Sequence, residues 1–238
     1  MRFSLPKQVC VLLILGAMVA GQSSSDVQSQ RLEVMPDTYA DNEQAYLDLL
    51  AAALTRNTAS RGYLVAYTKP GLPPGTFLRR IYGYKNYLVN LRGIDSNRIT
   101  IIEGGTKDVL STELWVVPNG AEAPKAVSEL NLISELPSKF DTIFPDCPSE
   151  MTIYLEGTLD SLHFYARALV ENPNTTAKIL TYPGRRASMT KMRGVSNKVR
   201  VALIQNYHID GKRIVTSSSK RRRDCSEVEL WLTGTKND

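Results

Sequence analysis

The sequence is poor in the residues that most often carry catalysis. Its 238 residues include only two histidines, His163 and His208. No metalloprotease, paired-cysteine or nucleophile-elbow motif is present, nor is a phosphate-binding glycine loop. His163 falls within a predicted helix, where a structural role is expected, and His208 falls at a predicted helix terminus, where we expect a cap. We therefore predict a protein that is not an enzyme and that uses no metal and no cofactor.

Long apolar runs are equally scarce, since the sequence has only one, near its N-terminus. Two cations precede residues 9–15, which are all apolar, and small residues follow up to Gly21. This order is typical of a cleaved signal peptide, here residues 1–21, and the run is shorter than the roughly 20 residues of a spanning helix. We predict export, to the periplasm or outside the cell, with no transmembrane span after cleavage. Residues 22–30 are predicted to be a disordered leader.

Cysteine is also rare. Of three cysteines, Cys10 lies in the predicted signal peptide, which leaves Cys147 and Cys225 in the exported protein. In an oxidising compartment such a pair is expected to form a disulfide. In the chain-entropy model, closing this large loop would stabilise the folded state by about 4 kcal/mol. A catalytic thiol is the alternative, but no histidine lies close in sequence to either cysteine.

The only two tryptophans mark an internal duplication. Trp115 and Trp231 each end a Glu-Leu-Trp tripeptide. Upstream of them, matched pairs stand 115 positions apart: Tyr67 with Tyr182, Leu88 with Leu203, Ile94 with Ile209, and Arg98 with Arg213. A period of about 100 residues lets each copy enclose its own core, so it predicts a domain duplication rather than a solenoid.

Hydrophobic periodicity predicts the same order of elements in both copies: strand, helix, strand, helix, strand, strand. In the first copy, Asp41 begins a helix with Gln44 as capping-box partner, residues 62–68 form a buried strand, and Gly93 ends the second helix. In the second copy, the first helix face is built from Leu159, Leu162, Ala166 and Leu169. Two helices over one face of a four-stranded sheet give a two-layer sandwich. The predicted fold class is α+β, with two tandem α/β sandwiches.

Composition sets the predicted boundaries of the repeats. The first repeat spans residues 31–118, a Pro- and Gly-containing linker spans 119–126, and the second repeat spans 127–238. We expect the first strand of the second repeat near residues 141–144.

Charge is distributed unevenly over a chain whose formal net charge is +5. Residues 22–146 hold 12 Lys and Arg against 15 Asp and Glu, whereas residues 147–238 hold 15 against 9. The basic half contains a Lys-Arg-Arg-Arg run in which Arg221, Arg222 and Arg223 are candidate contacts to an anionic polymer. A solvated loop that binds nothing is the alternative, and at this modest charge we expect no nucleic-acid partner.

The repeated Glu-Leu-Trp tripeptide raises two further possibilities. Glu113 and Glu229 could act as a glycosidase pair, but such carboxylates must flank one bond at about 5–10 Å, and these two belong to separate folding units. Alternation along a strand places each Glu and Trp on the face opposite the buried Leu. An outward Trp could stack on a sugar ring; we expect instead that both tryptophans are buried against the other repeat.

The passage from Leu78 to Ile99 resembles the C-terminal domain of outer membrane protein A and its relatives. Those domains carry an Arg-Ala pair before an apolar helix that ends in a Gly-Ile turn; here Arg80 and Ile81 fall on that pair, and Gly93 and Ile94 on that turn. The resemblance extends over about one domain length in each copy. It implies a peptidoglycan ligand, held by an aspartate after the second strand and by the helix arginine.

The ligand motif of that family is degraded here. The aspartate position is Lys69 in the first copy, and the second copy has Pro183 and Gly184 there, with Val195 in register with Arg80. A carboxylate and a guanidinium together bind a zwitterion, whereas a lysine and an arginine bind only its anionic end. Lys69 and Arg80 remain the candidate contacts in the first repeat.

We predict an exported, non-catalytic binding protein of the periplasm or cell envelope. Its ligand would be peptidoglycan or another anionic wall polymer, or else a protein surface. The alternative is a structural module in which the two repeats pack together and present a surface to a protein partner. An open pocket at Arg80 would favour the first hypothesis, because a buried or ion-paired Arg80 leaves no ligand site that we can name in that repeat.

Overall fold

Both repeats have the predicted order of elements. The computed structural model describes residues 28–131, 133, 135–146 and 161–234, so the predicted signal peptide, most of the predicted leader and Leu159 lie outside the described residues. The first repeat consists of β1 (Gln30–Pro36), α1 (Ala40–Arg56), β2 (Arg61–Thr68), α2 (Pro74–Asn86), β3 (Ile99–Thr106) and β4 (Ser111–Val117). The second consists of β5 (Ser138–Ile143), α3 (Ser161–Glu171), β6 (Thr175–Tyr182), α4 (Met189–Gln205), β7 (Ile214–Ser218) and β8 (Glu227–Gly234).

The two sheets share one topology, which confirms the predicted fold class. Their strand orders are β1-β4-β2-β3 and β5-β8-β6-β7. In each sheet the second and third strands of the repeat are parallel, and the last strand lies between the first and second strands, antiparallel to both. The helices pack on one face only, so each repeat is a two-layer sandwich.

Local sequence accounts for most of the elements but not for every cap. Buried residues of α1 recur at helical spacing, with Leu47, Leu50 and Leu54 at most 2% exposed. The helix begins one residue before the predicted start, its N-cap Tyr39 makes no side-chain capping bond, and the expected capping box at Asp41 is not formed. Packing of the apolar face, rather than a cap, holds this helix in place.

A duplicated arginine joins the same loop in both repeats. Arg98 donates to the carbonyl oxygens of residues 54, 57 and 60 at 2.8–3.0 Å. Arg213 donates to those of residues 169, 172 and 175 at 2.9–3.0 Å. Each guanidinium satisfies carbonyl groups at the end of the first helix of its repeat. The equal spacing of donors and acceptors shows that the sequence repeat is a structural repeat.

The second helix of each repeat is followed by a left-handed residue; in the first repeat α2 continues as a π-helical turn, Tyr87–Leu91, before that residue is reached. Gly93 has φ +68° and His208 has φ +57°. The next residue then donates its N–H back into the helix, from Ile94 to the oxygen of Leu88 and from Ile209 to that of Leu203, both at 3.0 Å. The sequence prediction for Gly93 is confirmed, and His208 takes the same position, as expected.

The repeats are joined by a buried ion pair at their interface. Asp141 of β5 has a side chain with no exposed surface. It accepts from Arg79 Nε and Nη2 at 2.9 and 2.8 Å and from Thr76 Oγ1 at 3.0 Å, all on α2. Gly75 permits this approach, since a Cβ there would lie 2.7 Å from the Asp141 side chain. The second repeat is therefore anchored to α2 of the first.

A second ionic contact crosses the same interface. Arg167 of α3 donates to both carboxylate oxygens of Glu103 at 2.8 and 2.7 Å, and Tyr82 donates to the same carboxylate at 2.8 Å. The rings of Tyr82 and Phe164 lie 5.0 Å apart, which places apolar contact beside the ion pair.

The segment between the repeats is held by the first sheet. Gly105 donates to the oxygen of Ser128 at 2.7 Å, and Gly104 forms an antiparallel bridge with Glu129. Residues 127–129, which the sequence assigns to the second repeat, thus pair with β3 of the first. The first strand of the second repeat is β5, Ser138–Ile143, close to the predicted position.

Replacing Arg79 by Met should lower the free energy of unfolding by about 3 kcal/mol, because it leaves the buried Asp141 carboxylate without its charged partner. Arg92→Met is the control: Arg92 and Asp48 form an ion pair whose side chains are 41% and 44% exposed, so its loss should cost far less than the loss of Arg79. Denaturant unfolding measures both. Equal costs for the two substitutions would contradict the interface role of Arg79.

Substitutions at the two helix ends should change the stability of the fold in opposite directions. Gly93→Ala should destabilise by about 1 kcal/mol, since no atom crowds the site and only the backbone conformation is penalised. His208→Gly removes that penalty but makes the unfolded chain more flexible, so we expect a gain between zero and about 1 kcal/mol. Thermal unfolding of the two variants checks this, and destabilisation by both would refute it.

Candidate functional site

The candidate residues of both repeats lie at one end of their sheets. Lys69 follows β2, and residues 221–223 lie between β7 and β8. Arg80 lies in α2, the helix that follows β2. These positions surround the carboxyl ends of the parallel strands, where ligands of open α/β sheets commonly bind. The two repeats use their cations differently.

In the first repeat, Arg80 is enclosed by the protein's own acids. Its side chain is 12% exposed. Nη1 donates to Asp37 Oδ1 at 2.9 Å, Nε donates to Glu43 Oε1 at 2.8 Å, and Nη2 also pairs with Glu43. Nε is in addition 2.7 Å from the hydroxyl of Tyr84. Arg80 therefore lies in a closed ionic network rather than beside an open pocket.

The protonation states of this network follow from burial and charge. Burial by itself lowers the pKa of Arg80, but contacts with Tyr84 and Glu43 outweigh it and raise that pKa above its ordinary value. Burial also raises the pKa of Tyr84, which stays a neutral donor to Glu43 at 2.7 Å. Arg80 is thus a permanently charged structural residue.

Lys69 belongs to the same network through Asp37. Its Nζ lies 2.5 Å from Asp37 Oδ2, while the other oxygen of Asp37 accepts from Arg80. The hydrogen bond from Lys69 has the largest effect and lowers the pKa of Asp37; burial opposes it, and contacts with Arg80 lower the pKa further, so that it lies below its usual value. The predicted contacts Lys69 and Arg80 are therefore brought together, but an internal carboxylate occupies the space between them.

Two of the three arginines in the basic loop have structural roles. Arg222 Nη1 donates to the carbonyl oxygens of Gly184, Arg185 and Ala187 at 2.9, 3.2 and 2.9 Å. Arg223 lies over the ring of Tyr182, 4.1 Å from its centroid, and pairs with Glu227 at 2.9 Å. These contacts fix the β7–β8 loop against the β6–α4 loop.

The loops that Arg222 joins and the first turn of α4 carry exposed cations. We call this surface the basic face; it consists of Arg185, Arg186, Lys191, Lys220 and Arg221, all exposed. Arg185 pairs with Asp224, which is itself 83% exposed. Such an exposed pair contributes little and leaves the guanidinium available. Sequence analysis found the run at 220–223 but missed Arg185, Arg186 and Lys191, which are near it only in the folded chain.

The repeated tryptophans lie in a duplicated polar arrangement on the outer face of each sheet. Trp115 Nε1 donates to Glu113 Oε2 at 3.1 Å, and Trp231 Nε1 to Glu229 Oε2 at 2.9 Å. Each carboxylate also contacts two cations: Arg31 and Lys107 in the first repeat, Lys139 and Arg223 in the second. Both indoles are partly exposed, so the expected burial of the tryptophans against the other repeat is wrong.

Contacts beside the two cysteines support the predicted disulfide. Cys147 lies outside the described residues, so its bond to Cys225 stays a prediction. The preceding residue, Asp146, accepts from the backbone N–H of Ser226 at 2.8 Å and from its hydroxyl at 2.6 Å. These hydrogen bonds lower the pKa of Asp146, with burial opposing them. The neighbours of both cysteines are thus in direct contact.

Comparison with known proteins adds no relative: no protein-family model matches the chain, and no curated protein matches it. Within the described ranges, no helix is long and apolar enough to cross a membrane. Among those same residues, no three His, Cys, Asp or Glu side chains are grouped as a metal site would require.

Asp37→Asn should cost up to about 1 kcal/mol at pH 7, because the carboxylate is partly exposed. A carboxyl group with a lowered pKa stabilises the fold above its unfolded pKa of about 3.9 and loses that contribution as the pH falls. The difference between wild type and variant should therefore be smaller at pH 2.5 than at pH 7. Urea unfolding at both pH values measures it, with the exposed Asp108→Asn as control. A difference that persists at low pH would contradict the ionic role of Asp37.

Proposed function

We propose that the chain is an exported, non-catalytic protein of the cell envelope that binds an anionic macromolecule through the basic face of its second repeat. The observation that carries this proposal is the position of the two loops joined by Arg222. Their exposed cations lie at the carboxyl ends of β6 and β7. Arginine and lysine clusters of this kind attract phosphate and carboxylate polymers.

The first repeat supports the same assignment because its own candidate cations are not available to an external anion. Arg80 and Lys69 are neutralised by Asp37 and Glu43, so an external anion would have to displace an internal carboxylate. The basic face needs no such displacement. Peptidoglycan with its attached anionic polymers and an acidic protein surface share the chemistry that this face would recognise.

A structural or interaction module is the second candidate function. The observation that favours it is the interface itself, where two bidentate arginine–carboxylate contacts join α2 and β3 to β5 and α3. Two repeats fixed in this way would present one continuous surface to a protein partner, with no small ligand.

Co-sedimentation with purified cell-wall sacculi tests the proposal. Retention of the purified protein should be strong at low salt and should fall about tenfold near 0.5 M salt, where charges are screened within a few ångströms. The double substitution Arg186→Glu and Arg221→Glu should abolish most retention. Lys212→Glu is the matched control, because this exposed lysine lies at the opposite end of the same sheet.

Absence of retention at low salt would overturn wall binding. Retention that resists salt, or that Lys212→Glu reduces as much as the double substitution, would overturn the basic face as the contact. Circular dichroism spectra should show that all variants fold.

A further inference from the structure

The outer faces of the two sheets differ, although the sheets share one topology. In the first repeat, Val65 and Tyr67 point away from the helices and yet are 0% and 1% exposed. Their counterparts in β6, Leu180 and Tyr182, are both partly exposed. Something covers the first face that does not cover the second.

On the first face, Lys107 Nζ lies 3.3 Å from the centroid of the Tyr67 ring, and the inter-repeat segment, residues 127–129, lies beside it with its own side chains exposed. The N–H of Val127 donates to the hydroxyl of Tyr67 at 3.2 Å, so the segment passes beside that ring. It lies so close to β3 that a Cβ on Gly105 would be 2.1 Å from Ser128 Oγ. The first sheet thus holds an extended piece of chain against its edge and outer face.

In the second repeat, no described segment takes this position, and within the described ranges β7 pairs only with β6. The outer face there has three apolar side chains, Leu180, Val215 and Trp231, which we call the apolar strip; they border Lys178, which pairs in register with both Val215 and Trp231. Val215 is 50% exposed, and the other two are partly exposed. An edge strand with free backbone groups beside exposed apolar side chains can pair with an added strand.

Charge indicates what kind of strand would fit. Lys178, which pairs in register with Trp231, is exposed on this face. Where the first repeat has the adjacent glycines that admit residues 128 and 129, the second has residues 219–221, which include Lys220 and Arg221. A segment on this path would meet cationic side chains instead of bare backbone, so carboxylates on it would be favoured.

We propose that the outer face and edge of the second sheet bind an extended acidic segment of a partner protein, at the position that residues 127–129 take on the first sheet. This rests on the proposed function, since it names the partner of the basic face. A wall polymer would use the cations alone, whereas the apolar strip and the backbone of β7 match a polypeptide. The segment needs an apolar residue for the strip and carboxylates for Lys178, Lys220 and Arg221.

Peptides taken from the chain itself provide the probe. A fluorescent peptide with the sequence of residues 121–131 contains the segment that pairs with β3, with Val127 and Leu130 as apolar residues and Glu122 and Glu129 as acidic ones. A second peptide, with Lys125→Glu, is more acidic. Fluorescence anisotropy with the full chain should give saturable binding of both peptides at low salt, and the more acidic one should bind about fivefold or more tightly.

Matched variants locate the site. Val215→Gln should weaken peptide binding about tenfold through loss of an apolar contact, whereas Val170→Gln, an exposed valine on α3, should leave it unchanged. Lys178→Glu should weaken the more acidic peptide most. No saturable binding of either peptide, or equal effects of the two valine substitutions, would overturn this inference. If Val215→Gln leaves sacculus retention unchanged and neither peptide binds, the basic face binds a wall polymer and the peptide site is overturned.

Discussion

Buried charge in this protein is neutralised by other charges of the protein, and much of the architecture follows from that constraint. Removing a charged group from water costs several kcal/mol unless a partner of opposite sign is supplied. Asp141 has no exposed side-chain surface and forms an ion pair with Arg79 of the other repeat. Arg80 is met by Asp37 and Glu43. The first pair fixes the position of the second repeat, and the second fixes the loop between β1 and α1.

The same constraint separates structural from available cations. Arg98 and Arg213 hold carbonyl groups at corresponding loops, and Arg222 and Arg223 hold the β7–β8 loop in place. The cations of the basic face are exposed, and the ion pair that the described residues form on that face, from Arg185 to Asp224, is exposed as well. A run of arginines in the sequence therefore contains both structural residues and residues available to a ligand, and only their contacts in the folded chain distinguish the two kinds.

The duplication preserved a framework and changed its electrostatics. Each outer sheet face retains a Trp, a Glu and two cations in the same arrangement, with Lys107 and Arg223 at corresponding positions and Arg31 and Lys139 likewise. The first repeat holds the inter-repeat segment, whereas the second carries the basic face, and among the described residues no segment takes that position on its sheet. Two copies of one unit could in this way divide structural and binding roles between them.

The sequence by itself determined the repeat, the order of elements and the fold class, because these depend on local periodicity and on residues with special backbone geometry. The spacing of Trp115 and Trp231 and the left-handed turn at Gly93 are readable without a partner. The tertiary structure decided that Arg80 is enclosed, that Asp141 belongs to the interface, and that residues 127–129 lie on the first sheet. These outcomes depend on which distant charges and strands meet, as with Arg79 and Asp141, 62 positions apart. No local pattern encodes such a meeting, because it is fixed only when the whole chain has packed.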